Sequence, residues 1–307
     1  MPPQSRRVVV PFTPQKPPWR LEAGDAVALM RELEDRSVHL VITDPPYFID
    51  GMGADWDDST LARRAARAGV VGSLPVGMKF DPGQARAFGR FMSAVAGEAI
   101  RVLKPGGFFI AFSQARLYHR LAVAAEDAGF EVRDMIGWTY TGQAKAFSMD
   151  HFVRKMPLPE AKKAALIKSM EGRKTPQLRP QIEPMVLAQK PREGTFVQNW
   201  AEHGTGLMDA TQTWEGKFPG NVIHCPKPTP AEKGAGNAHM TVKPVRLIEH
   251  LVRLFSAPGQ VVLDPFAGSG THGIAALRAG RAFIGFDIEE SYVTLAKRRI
   301  EEVAHER

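Results

Sequence analysis

The chain reads as an α/β protein built on a doubly wound, mostly parallel sheet. Three observations predict this. Strand-like and helix-like segments alternate over residues 21–144 and again over 236–302. The apolar run Val38-His39-Leu40-Val41-Ile42 ends in Asp44-Pro45-Pro46-Tyr47. Val261-Val262-Leu263-Asp264 runs directly into the glycine-rich turn Pro265-Phe266-Ala267-Gly268-Ser269-Gly270. Such alternation implies parallel strands with helices on both faces. In open sheets of that kind ligands bind at the carboxyl ends of strands, where both short motifs fall.

Taken in order, Met1 to Arg20 is proline-rich with scattered basic residues and is expected to be an extended arm. Residues 21–144 form a first α/β half. Its signals are the strand before Asp44, a helix through Gln84 to Leu103, a strand at 108–112, a helix through Ala115 to Ala128 and a strand at Phe130 to Ile136. Residues 145–235 lose clear periodicity and are rich in proline, glycine and basic side chains, so they read as an insertion. Residues 236–307 return to helix, strand, helix, strand, helix, with Ala282-Phe283-Ile284-Gly285-Phe286-Asp287 as the last strand.

The two motifs carry the chemistry. The prolines fix the backbone and remove two amide donors, leaving carbonyls as acceptors. With the Asp44 carboxylate and the flat face of Tyr47, they suit a planar group bearing an exocyclic amine. A plain tight turn after a strand is the competing reading. In the second motif, glycines admit close backbone approach, and the distal Asp287 carboxylate can accept ribose hydroxyls. Gly268, Gly270 and Gly273 formally satisfy G-x-G-x-x-G, so a nicotinamide or flavin enzyme is a rival. Asp264 argues against it, because a carboxylate just before the turn repels a pyrophosphate and favours an ammonium or sulfonium ligand. S-adenosylmethionine carries both. A turn carboxylate is the alternative for Asp264.

Together these residues resemble the amino-methylating DNA methyltransferases. With Asp44-Pro45-Pro46-Tyr47 first and Asp264-Pro265-Phe266-Ala267-Gly268-Ser269-Gly270-Thr271 last, the order is similar to their permuted β group. Gly24-Asp25, Val102-Leu103-Lys104-Pro105-Gly106-Gly107, Glu183-Pro184, His203-Gly204-Thr205-Gly206 and His239-Met240-Thr241-Val242-Lys243-Pro244 extend the likeness over roughly residues 21–302, and some of them resemble phage and prophage modification methylases. Met240, His272 and Asp287 depart from common family residues without removing a group the chemistry needs.

The resemblance implies an S-adenosylmethionine-dependent methyltransferase fold with a target-recognition region at 145–235. It also implies direct methyl transfer to a base flipped from duplex DNA. Asp44, Pro45, Pro46 and Tyr47 would be catalytic. Asp25, Thr241, Lys243, Asp264, Phe266, Gly268, Gly270 and Asp287 would surround the cofactor, Lys243 by pairing with the methionine carboxylate. Lys243 as a plain surface lysine is the competing reading. Aspartate in the first motif position resembles adenine-N6 enzymes more than cytosine-N4 enzymes, which often carry serine there. A cytosine-N4 enzyme and a catalytically silent DNA-binding relative stay open. Asp50 to Asp81, with five glycines, is either a lid over the base or a segment ordered only by DNA.

Charge and composition agree. Residues 151–192 hold ten Lys+Arg against three Asp+Glu, an excess equal to the +7 of the whole chain. Lys162, Lys163, Lys168, Arg173, Lys174 and Arg179 are its candidate phosphate contacts, with a solvated helix as the alternative. The single cysteine, Cys225, excludes an internal disulfide and reads as a buried structural residue. No metal site is expected. No apolar stretch approaches a membrane span, so a cytoplasmic protein is expected. A homodimer and a cognate restriction endonuclease stay open as partners.

Overall fold

The computed structural model describes residues 18–47, 82–144, 146–233 and 242–305. The Asp50–Asp81 loop, Thr241 and the expected arm up to Pro17 lie outside these residues. Trp19 and Arg20, assigned to the arm, already belong to the first strand.

The described elements are, in order, β1 (Trp19–Ala23), α1 (Ala26–Arg31), β2 (Val38–Thr43), α2 (Pro82–Val102), β3 (Leu103–Phe112), α3 (Tyr118–Asp127) and β4 (Glu131–Thr139). There follow α4 (Asp150–Arg154), α5 (Glu160–Ser169), β5 (Ile182–Gln189), α6 (Phe196–His203), β6 (Val222–His224) and α7 (Pro230–Lys233). The last part holds α8 (Val245–Phe255), β7 (Val261–Asp264), α9 (Thr271–Arg278), β8 (Ala282–Asp287) and α10 (Glu290–His305). The strands form one eight-stranded sheet ordered β1-β8-β7-β2-β3-β5-β4-β6. All neighbours are parallel except β5, which runs antiparallel to both β3 and β4.

Alternation along the strands divides the core between the two sheet faces. Leu40, Ile42, Phe108, Ile110 and Phe112 pack with residues of α8, α9 and α10. Val41, Phe109, Ala111 and Leu263 pack with α1, α2 and α3. Val38 breaks the alternation and joins the second cluster, because the β2–β3 register shifts between Val38 and Leu40. Helix α8 reads the same logic at helical spacing: Val245, Ile248, Val252 and Phe255 are buried, as are Leu247, Leu251 and Leu254. Each such side chain contributes roughly 1.5–3 kcal/mol relative to an exposed position. Pro82 occupies the first position of α2, where a missing N–H costs no helix bond.

The central strand β5 is the most consequential element that the periodicity reading missed. The stretch 145–235 shows no clear periodicity, yet Ile182–Gln189 forms β5 inside the sheet, with Met185, Val186, Ala188 and Gln189 buried. Pro184 disguises it, since proline in a central strand argues against a strand. It is tolerated because β3 ends at Phe112 opposite Met185. On the other side, its register partner Gly137 sends its N–H to Asn221 O instead (2.7 Å).

Two of the quoted segments meet at the amino end of β3, far from the strand ends where ligands bind. Asn199, fully buried on α6, donates to Pro105 O (3.0 Å) and Thr205 O (2.9 Å) and accepts from Glu193 N (2.8 Å). Gln189 ties Gly106 O to Gly206 O. Helix α6 is fixed by a Thr195–Gln198 capping box and ends on Gly204 at φ 67°. Pro105-Gly106 and His203–Gly206 therefore act as a structural lock.

Candidate active site

Strands β2 and β7 lie side by side and parallel, with Val41 opposite Leu263. The chain leaves β7 for α9 on one face, while β2 leads towards α2 on the other. Their carboxyl ends are thus the switch point at which an open sheet presents its crevice. Both motifs arrive there, and the hydroxyl of Thr43 donates to Asp264 Oδ1 (2.6 Å), joining them across 221 residues.

The glycine-turn half is held by carboxylates. Asp287, at the end of β8, accepts from Gly268 N (2.8 Å) and Glu289 N (3.0 Å). Burial raises its pKa, which these two backbone donors oppose. Gly24 N donates to Asp287 O (2.9 Å), and Asp25 caps α1 by accepting from Ala28 N (2.8 Å). Phe266 packs its ring 5.5 Å from that of Phe91. Asp25, Phe266, Gly268 and Asp287 therefore gather at the carboxyl ends of β1, β8 and β7.

Asp264 sits between the two motifs. It is fully buried and accepts from Phe266 N (3.0 Å) as well as Thr43. His272 Nδ1 lies 2.7 Å from its Oδ2. Its Oδ1 bonds tie the carboxylate to the start of the glycine turn. Beside it, Thr271 Oγ1 and His272 Nε2 are buried and find no hydrogen-bond partner among the described residues. Buried polar groups at a ligand crevice call for a polar ligand to satisfy them.

Gly270 and Gly273 serve the fold. Gly270 has φ 81°, and a Cβ there would meet Ala296 Cβ on α10 at 2.9 Å. A Cβ on Gly273 would meet Ile300 Cδ1 at 2.4 Å. Gly270→Ala is expected to cost roughly 2–5 kcal/mol, from a left-handed backbone and an overpacked contact. A thermal melt of the variant, several degrees below the parent, checks this.

Lys243 lies among the side chains around Asp44. Its Nζ lies 2.5 Å from Asp44 Oδ2 and 2.8 Å from Glu183 Oε1, and 5.0 Å over the Phe112 ring. The ammonium is engaged by these carboxylates and is 5% exposed. Burial alone would lower its pKa, but Asp44 and Glu183 outweigh that and hold it above the usual lysine value. The Tyr47 hydroxyl donates to Asp44 Oδ1 (2.7 Å) and lies 3.3 Å from Glu183 Oε1. Burial, then the two carboxylates, keep it a phenol.

Glu183 is the residue that motif reading passed over. It sits at the start of β5, which, running antiparallel, brings its amino end to the carboxyl ends of its neighbours. Burial pushes its carboxyl above the ordinary range; the Lys243 charge opposes this and Asp44 reinforces it. The Glu183-Pro184 pair was visible, but its approach to a tyrosine 136 residues away depends on β5 itself.

The basic candidates lie apart from this cluster. Lys162, Lys163 and Lys168 are on α5, which buries no residue, and Arg173, Lys174 and Arg179 follow it; all but half-buried Lys163 are exposed. Lys163 pairs with Glu160 (2.8 Å). Cys225 is buried, and its carbonyl accepts from Trp138 Nε1 (2.7 Å). No described helix is long and apolar enough to cross a membrane.

The sheet, its switch point and the glycine turn define the class of S-adenosylmethionine-dependent methyltransferases. The DNA methylase family of N6 and N4 enzymes matches residues 38–298, and the chain belongs to it. The dinucleotide alternative is thereby set aside. The type II methyltransferase M.HindIII of Haemophilus influenzae is 27% identical over 299 residues, 90% of this chain and 93% of its own. A Thermus thermophilus protein provisionally named a DNA modification methylase, TTHA0409, is 25% identical with a TM-score of 0.55, covering 92% of this chain and 94% of its own. It is also known in complex with S-adenosyl-L-methionine. The PvuII DNA methyltransferase, cytosine-N4-specific, shares the fold at 17% identity and a TM-score of 0.60, covering 95% of this chain and 93% of its own. The chain is a DNA methyltransferase that uses S-adenosylmethionine.

Proposed function

We propose that the enzyme methylates the N6 amine of adenine in duplex DNA, on a base taken out of the stack. The observation that carries this is the Asp44 carboxylate, held at the edge of β2 by Lys243 and Tyr47. An exocyclic amine is a weak nucleophile because its lone pair delocalises into the ring. Asp44 and the Pro45 carbonyl accept its two N–H bonds, favouring a tetrahedral nitrogen with a localised lone pair. This is positioning and electrostatic stabilisation, with no covalent enzyme intermediate. Tyr47 supplies the aromatic platform for the base. Asp25, Phe266, Gly268, Thr271, His272 and Asp287 would hold S-adenosylmethionine, which supplies an electrophilic methyl group on its sulfonium. An aspartate in the first motif position supports adenine over cytosine.

The test is incubation of the protein with sequence-diverse unmethylated duplex DNA and S-adenosylmethionine, followed by mass spectrometry of the digested nucleosides. N6-methyladenine is the expected product. N4-methylcytosine would overturn the base assignment and leave the amine chemistry intact. No methylated base, despite cofactor binding, would favour the silent DNA-binding relative.

The exposed basic run after residue 160 is proposed to contact phosphates, within a target-recognition region spanning 145–235. Replacing Lys162, Lys168, Arg173 and Lys174 together with Gln is expected to weaken DNA binding on all sequences. The slope of log affinity against log salt should fall by about 0.9 for each phosphate that is no longer neutralised. Binding titrations at several salt concentrations read this, and cofactor affinity should not move.

A further inference from the structure

Methylating an amine creates a proton that must leave. The amine nitrogen gains a carbon as the sulfonium loses one, and the positive charge passes to the nitrogen, which then sheds one hydrogen. Asp44 is the acceptor at hand, but a protonated Asp44 cannot accept the next amine. Two groups flank it, and both converge on one further carboxylate. Lys243 Nζ bridges Asp44 and Glu183 at 2.5 and 2.8 Å, and the Tyr47 hydroxyl spans the same two residues at 2.7 and 3.3 Å.

We propose that Glu183 is the resting place of the proton released by the methylated amine, reached from Asp44 through Lys243. As Asp44 returns its proton to Nζ, Lys243 passes one of its own three to Glu183. Asp44 and Lys243 recover their charged forms, and Glu183 becomes a neutral acid until solvent takes the proton. The shorter of the two bridges runs through Lys243, which is why it carries the transfer, while Tyr47 holds Asp44 in line. Burial, by raising the affinity of Glu183 for a proton, makes it a favourable sink. Glu183 touches neither base nor cofactor on this account; it is a positioning residue acting through Asp44, and the inference rests on the proposed role of Asp44 at the base.

Multiple-turnover methylation of unmethylated duplex DNA, in which each enzyme must regain an ionised Asp44 between cycles, followed across pH, tests it. Glu183 must be ionised to receive the proton, so the parent rate should fall as pH drops through its raised pKa. Glu183→Gln keeps a hydrogen-bonding side chain of the same shape. It should retain the parent's melting temperature and S-adenosylmethionine affinity, slow repeated turnover about a hundredfold, at the low end of positioned proton transfer, and lose that acid limb. Glu183→Asp, which restores a carboxylate, should recover part of the rate together with the limb. A parent-like rate and profile in Glu183→Gln would overturn the proposal. So would equal slowing of the Gln and Asp variants with an unchanged profile, the mark of a purely structural role. Asp44→Ala separates the two levels: if it methylates normally, the reading of Asp44 fails as well. If it is inactive while Glu183→Gln behaves like the parent, the proton path alone is wrong.

Discussion

Asp44→Ala is expected to lower the rate of base methylation by about 10²–10³-fold, the scale of losing one preorganised electrostatic partner of a transition state. S-adenosylmethionine affinity should change little, because the groups gathered around the glycine turn make their contacts without Asp44. Asp287 is anchored by Gly268 and Glu289, and Asp264 by Thr43 and Phe266. The variant should also remain folded, since Lys243 keeps Glu183 as a partner at 2.8 Å. Nucleoside mass spectrometry read against calorimetric cofactor binding distinguishes lost chemistry from lost binding. Equal loss of both would place Asp44 in the cofactor site and not at the base.

Lys243→Met should interrupt the proposed proton path and also lower stability. It leaves two carboxylates sharing one buried site with no cation between them, a situation that costs about 3–5 kcal/mol when a buried pair is broken. The pH dependence has a definite sign. Burial already raises the Glu183 pKa above its ordinary value of 4.5, and removing the ammonium raises it further. An acid whose folded pKa exceeds its unfolded one binds more protons when folded, so stability falls as pH rises through that window. The variant should therefore be least stable at neutral and alkaline pH and recover towards the parent as pH drops below about 4.5, the unfolded value. Denaturant midpoints collected between pH 4 and 8 read this. A uniform deficit across that range would mean that Lys243 matters for packing against Phe112 more than for charge.

Much of the scaffold was legible in the sequence because its signals are local. The run Val38–Ile42 is apolar but for His39, as a strand buried on both faces must largely be. The turn at Gly268–Gly270 needs a left-handed residue that only glycine supplies cheaply. Helix α8 shows its buried stripe at helical spacing. Where a local signal was contradicted by another, the reading failed: Pro184 hid β5, and β3 begins at Leu103, five residues earlier than expected, because Pro105 and Gly106 look like a turn. They are a turn-like stretch, but one pinned to the strand by Asn199 and Gln189, which lie more than 80 residues on.

The sequence alone determined the alternation of strands and helices, the two motifs at strand ends and the concentration of positive charge after residue 150. These follow from residue type and short-range spacing, which the chain carries before it folds. The tertiary structure decided what the charged side chains touch. It buried Asp264 against the Thr43 hydroxyl and the Phe266 amide and set Lys243 between Asp44 and Glu183. It also brought Glu183 there on a strand of reversed direction. Those outcomes depend on strand order and register, and a pairing between residues 199 positions apart has no signature in either neighbourhood taken by itself.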